Sequence, residues 1–177
     1  MPLLKPGQPA PLFHLIDQRS HLVYLEQVLT KGPALLLFYR RNFEPKTASI
    51  LRQWKHWLES RKNDAENETP GLQVIAISSD EWERHHQFAN QLALPFPVLY
   101  DHLGKVAKRY GCQILPVIWS QEATFWVENQ ITKQSDNSKE NNQNNEDKEK
   151  EDKKVILIQR IQQTHTGLLG PHQLFDI

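Results

Sequence analysis

The chain has 177 residues and sets 21 Lys plus Arg against 21 Asp plus Glu, so its formal net charge is zero. That balance argues against a nucleic-acid or anionic-membrane partner, which calls for a basic excess, and a single cysteine excludes an internal disulfide or a Cys-rich zinc site. No run approaches the roughly 18 apolar residues of a membrane span, and the start Met1-Pro2-Leu3-Leu4-Lys5 lacks a signal-peptide core; the expectation is a soluble, cytoplasmic chain forming one domain over 1–177.

In chain order, Leu12 to Tyr24 carries short apolar runs broken by Asp17-Gln18-Arg19-Ser20, which predicts a small hairpin. Glu26 to Thr30 reads as a helical turn ahead of Gly32-Pro33. The continuous apolar run Ala34–Tyr39 predicts a buried central strand. Ile50, Leu51, Trp54, Trp57 and Leu58 recur every three or four residues, so they share a helix face. That helix starts near Asn42–Pro45, where Asn suits a cap and Pro a first turn.

Leu72–Ile77 predicts a second buried strand, and Ser79-Asp80 with Glu83 reads as a capping box opening a helix to Leu92. Pro95–Tyr100 predicts a short strand, and Gly104–Tyr110 a short helix ended by Gly111. Ala123–Glu128 and Val155–Gln163 are β-like and most simply pair as an antiparallel hairpin. Between them, Gln130 to Lys154 holds 25 residues with 6 Lys, 7 Asp or Glu, and Ile131 as the lone aliphatic or aromatic residue. Such a tract buries too little surface to offset its ordering entropy, so 130–154 is expected to be a mobile, low-complexity insertion, either inert or a partner-binding tail. Its Lys/Glu-rich end has two further readings, an extension of a strand or a frayed helix. Together these elements predict an α/β domain with a mixed sheet.

The order of elements and the words that punctuate it resemble the peroxiredoxins (the alkyl hydroperoxide reductase and thiol-specific antioxidant family). Gly7-Gln-Pro-Ala-Pro11-Leu-Phe13 is similar to the family's opening Gly-x-x-Ala-Pro-x-Phe, and Leu36-Leu37-Phe38-Tyr39 to the strand before its active-site loop. Leu94-Pro-Phe-Pro-Val-Leu99-Tyr-Asp101, then Gly104-Lys-Val-Ala107 and Tyr110-Gly111, resemble Leu-Pro-Phe-Pro-Leu-Leu-Ser-Asp and Val-Ala-x-x-Tyr-Gly; Ala123-Thr124-Phe125 resembles the late strand. The resemblance implies a thioredoxin-like three-layer fold, a mixed central sheet flanked by helices, with the long polar insertion in its C-terminal hairpin. It also allows a homodimer.

The family's chemistry uses a thiolate in the first turn of the helix after Phe-Tyr, with its pKa lowered by the helix N-terminus and an Arg. In this sequence the register Phe38-Tyr39-Arg40-Arg41-Asn42-Phe43-Glu44-Pro45-Lys46-Thr47 puts Arg40 at the family's Pro, Glu44 at its Thr and Thr47 at its peroxidatic Cys. Glu122 stands where the resemblance expects the Arg, and an acid there disfavours a thiolate. A threonine hydroxyl does not replace a thiolate, because peroxide reduction needs an oxidisable sulfur. The expectation is therefore a degenerate domain without catalytic residues, metal or cofactor, acting as a binding, assembly or regulatory module for an unidentified protein partner. The alternative is a residual thiol peroxidase or reductase using Cys112, which otherwise reads as a small buried hydrophobe beside Ile114-Leu115.

Arg40, Arg41 and Lys46 crowd the start of that helix. They read either as an anion or partner contact, with Glu44 offsetting part of their charge, or as a solvated charged loop. Lys46, Arg52 and Lys55 lack the interleaved aromatics of a nucleic-acid strip. His85 and His86 are adjacent on a helix, about 100° apart, and so do not form an i, i+4 metal pair. Of the 5 tryptophans, Trp54, Trp57 and Trp126 read as core. Trp119 and the apolar end Leu168–Ile177 read as an exposed contact patch, or, around Pro171, as a short covering helix.

Overall fold

Five residues of the run Ala34–Phe38 form a strand with every side chain buried, and the rest of the molecule is arranged about it. The structure, a computed structural model, describes residues 2–62, 71–112, 122–133 and 155–175. Seven strands form one mixed sheet: β1 (His14–Asp17), β2 (Leu22–Tyr24), β3 (Ala34–Phe38), β4 (Gln73–Ser78), β5 (Val98–Tyr100), β6 (Ala123–Lys133) and β7 (Val155–Thr166), in the order β2-β1-β5-β4-β3-β6-β7. The helices are α1 (Leu25–Leu29), α2 (Pro45–Lys62), α3 (Trp82–Leu92), α4 (Lys105–Arg109) and α5 (Pro171–Phe175), with a 3-10 turn over His102–Gly104.

Alternation along β3 divides the core in two, as period-2 side chains must. Leu36 and Phe38 pack with Leu25, Leu29, Val106, Ala107 and Tyr110 on the α1/α4 side. Leu35, Leu37 and Tyr39 pack with Leu51, Trp54, Phe88 and Leu92 on the α2/α3 side. The sheet between two helical layers is the three-layer α/β arrangement expected from the sequence.

The hairpin β1–β2 turns on Asp17, whose Oδ1 accepts the backbone N–H of Arg19 and of His21, each at 2.8 Å. Gln18, buried in the turn, donates to the Phe96 carbonyl and accepts the Val98 N–H at 2.8 Å, fixing the Pro95–Pro97 approach to β5. β3, β4 and β5 run parallel in matched register, Phe38 beside Ile77 and Ile77 beside Leu99. Their carboxyl ends therefore lie level, and the β3–α2 and β5–α4 connections leave from that edge, where open α/β sheets place their ligands.

Two expectations shift, and at the C-terminal end the covering helix around Pro171 is the reading that holds. The residue preceding α3 is Glu81, without a side-chain capping bond, so the Ser79-Asp80 capping box does not form. β6 continues through Gln130 to Lys133 by antiparallel pairing with Ile158 to Val155, so the backbone ladder extends into the polar tract, and its remainder lies outside the described residues. The apolar C-terminal end is covered: α5 stacks Phe175 on Trp57 at 5.2 Å, and Trp54 Nε1 donates to the Leu169 carbonyl at 2.8 Å. Trp119 lies outside the described residues.

Candidate functional site

The loop from β3 to α2 is shaped by Tyr39 and Asp80. Tyr39, fully buried, donates its hydroxyl to Asn42 Oδ1 at 2.7 Å. Burial and the nearby Asp80 charge push its phenol well above the ordinary range, so it remains a donor. The Asn42 N–H donates to Asp80 Oδ2 at 2.9 Å, and Arg84 Nε donates to the same oxygen at 3.2 Å. Asp80 thus ties the loop to α3 instead of capping that helix. Phe43 takes a left-handed backbone, φ 62°, and sets its ring against Phe88 at 5.1 Å.

Pro45 then opens α2, and the Glu44 carbonyl accepts the Ala48 N–H at 2.9 Å, which makes Glu44 rather than Asn42 the residue preceding the first turn. Thr47 is third in the helix and fully buried. Its Oγ1, together with Asn42 Nδ2 and Glu44 Oε2, is buried without a hydrogen-bond partner. Among the described residues the hydroxyl consequently has no base to activate it as a nucleophile.

Glu122 reaches the same place from the start of β6, because Ala123 pairs with Phe38 and brings the preceding residue beside the loop. Lys46 Nζ meets Glu122 Oε2 at 2.8 Å. Arg40, Glu44, Thr47 and Glu122 are therefore gathered at one edge, with Arg40 and Arg41 exposed. The acid that offsets Lys46 is Glu122 and not Glu44. Seventy-six positions separate that pair, and no spacing rule signals it. Asp80 and Arg84 carry no site signal either, since the sequence around them reads as an ordinary helix start.

Cys112 is elsewhere. It is buried in the α1/α4 core, across the sheet from α2, and its Sγ donates to the Ala107 carbonyl at 3.3 Å. Burial, with the Asp101 carboxylate nearby, pushes its thiol far above the ordinary range, so it stays protonated at neutral pH. Thr47 thus places a buried hydroxyl in the first turn of α2, and the thiol of Cys112 is buried on the other side of the sheet.

Comparison with known proteins gives the family and the fold. Residues 6–133 match the model of the AhpC/TSA family. Over 105 residues the chain is 31% identical to the chloroplastic peroxiredoxin Q of Sedum lineare, covering 59% of this chain and 53% of that protein. Its identity to the Arabidopsis thaliana peroxiredoxin Q is 33% over 105 residues, 59% of this chain and 45% of that one. The chain spans about half the length of these curated relatives. Among solved structures, a PrxQ mutant of Xylella fastidiosa superposes with a TM-score of 0.67 over 98% of this chain and 92% of its own, at 14% identity. The peroxidoxin BcpB of Mycobacterium tuberculosis does so with 0.62 over 70% and 78%, at 24% identity. At these identities the structures speak for a shared thioredoxin-like fold.

Proposed function

We propose that this chain, which belongs to the AhpC/TSA family of peroxiredoxins, keeps the family's scaffold without its thiol peroxidase chemistry and serves as a binding, assembly or regulatory module. One observation carries the reading: the helix position that would hold the reactive sulfur is Thr47, buried and without a base among the described residues, beside a Lys46–Glu122 ion pair in place of a cation free to stabilise a thiolate. Reduction of a peroxide cleaves its O–O bond by transfer of one oxygen to a nucleophilic sulfur, and a hydroxyl oxygen takes no part in that two-electron exchange. The competing reading, turnover at Cys112, is weakened by that residue's burial and raised pKa.

Peroxide consumption with thioredoxin or dithiothreitol as reductant tests the proposal. The expected rate equals that of the protein-free control; robust turnover abolished by Cys112→Ser overturns it. The module half of the reading has its own test in the exposed Arg40 and Arg41. A stoichiometric partner recovered with the chain is expected to be lost on charge reversal at these two residues. Retention of the partner by the double reversal, or no reproducible partner, removes the support for a contact there.

A further inference from the structure

A second feature on the carboxyl edge of the sheet owes nothing to the loop around Thr47. Between the β1–β2 hairpin and α4 lies a cleft of about 510 Å³, within the range of small-molecule sites. Its apolar side is built from Leu12, Ile16 and Leu22, which stay 38%, 45% and 48% exposed although they are large hydrophobic residues. Register explains part of their continuity: Ile16 lies opposite Leu22 on one side and opposite Tyr100 on the other, so these three share one sheet face, and Leu12 lines the cleft from the segment before β1. A soluble chain ordinarily covers such a strip, and leaving it open marks a contact surface.

The other side carries charge. Lys105 and Arg109 both line the cleft and, four apart on α4, project to one side. Arg109 Nη2 donates to the Leu12 carbonyl, which anchors the guanidinium at the cleft and leaves other donors of its fork uncommitted by any bond to an acid oxygen among the described residues. Lys105 is exposed and forms no ion pair among the described residues. The acid on the lining is Asp101, whose two oxygens accept the N–H groups of Val106 and Ala107 at 3.0 and 2.8 Å while it is 1% exposed. Its charge faces inward and offsets Arg109 in part, so Lys105 is left over and the cleft carries one net positive charge beside an apolar strip.

We propose that this cleft binds an amphipathic carboxylic acid, its alkyl or aryl body along Leu12, Ile16 and Leu22 and its carboxylate on Lys105 and Arg109. The single surplus charge suits a monoanion better than a phosphate dianion, and the apolar strip contributes about 25 cal/mol for each Å² of ligand it covers. Neither feature depends on whether the chain reduces peroxide.

Titrating the full chain with decanoate below its micellar concentration, followed by ¹⁵N–¹H spectra, tests the site, with 1-decanol and decylamine as probes of body and charge. Saturable shifts are expected at His14–Asp17, Leu22–Tyr24 and Lys105–Arg109, with decanoate about tenfold tighter than decanol and decylamine weaker than both, since a charge-assisted bond contributes about 1.5 kcal/mol or more. Lys105→Glu is expected to weaken decanoate about tenfold and leave decanol unchanged, while Ile16→Asp weakens both. Equal affinity for decanoate and decylamine, indifference to Lys105→Glu, or shifts confined to other residues overturns the proposal, as does the absence of saturable decanoate binding. Lys105→Gln, expected to lose less than Lys105→Glu, guards against an effect of the introduced acid on folding.

Discussion

Two corners of this molecule leave the same edge of the sheet and have diverged in quality. At the β5–α4 corner the buried Asp101 accepts two backbone N–H groups, and at the entry to β5, where the sequence keeps the Leu-Pro-Phe-Pro wording of its family, the buried Gln18 likewise makes two hydrogen bonds. At the β3–α2 corner, where the wording is lost, Asn42, Glu44 and Thr47 each leave one buried atom unpartnered. Polar groups that hold the fold must be satisfied or cost about 1–3 kcal/mol apiece.

The contrast is broken most severely at the satisfied corner. Asp101→Ala strands two N–H groups in the first turn of α4, and urea denaturation is expected to show a loss of about 3 kcal/mol. Gln18→Ala is expected to cost about 2 kcal/mol by the same logic at the Phe96 carbonyl and Val98 N–H. The other corner responds in the opposite direction. Thr47→Val replaces an unpartnered buried hydroxyl with a methyl of the same shape and is expected to stabilise the fold by about 1 kcal/mol. Destabilisation by Thr47→Val would reveal a partner for that hydroxyl.

A smaller effect follows from His85, fully buried on α3 with Nδ1–H donating to the Glu81 carbonyl at 2.9 Å and Nε2 without a partner. Burial lowers its pKa below the usual value. The unfolded chain therefore takes up a proton first as the solution is acidified, so this group's stability is present above about pH 6.5 and is lost as pH falls toward the folded value. Denaturation midpoints are expected to decline over that window, and His85→Phe to flatten the decline. Smallest of all is the Lys46–Glu122 pair: with the lysine 62% exposed, Lys46→Met is expected to change stability by less than about 1 kcal/mol.

Much of this was legible in the residues. The period of Ala34–Tyr39 gave the buried central strand and the spacing of Leu51 and Trp54 the buried helix face, and both stand in the structure. What escaped were contacts set by tertiary pairing. Asp80 sits three before Glu83, a local pattern that fits a capping box, yet its carboxylate is taken by the Asn42 N–H from a neighbouring loop. The extension of β6 to Lys133 needs backbone pairing with β7 alone, so hydrophobic period gives no sign of it. The apolar strip of the cleft is divided between two strands and a loop, and the register of a three-residue edge strand brings it together.

The central claim is that the chain has no reactive sulfur in its folded state, and intact-protein mass spectrometry tests it most directly. After exposure of the native protein to hydrogen peroxide with dimedone, which traps sulfenic acids, the mass is expected to show no dimedone adduct, and the adduct to appear at Cys112 once the chain is unfolded in urea. A stoichiometric adduct at Cys112 in the folded protein would contradict the account.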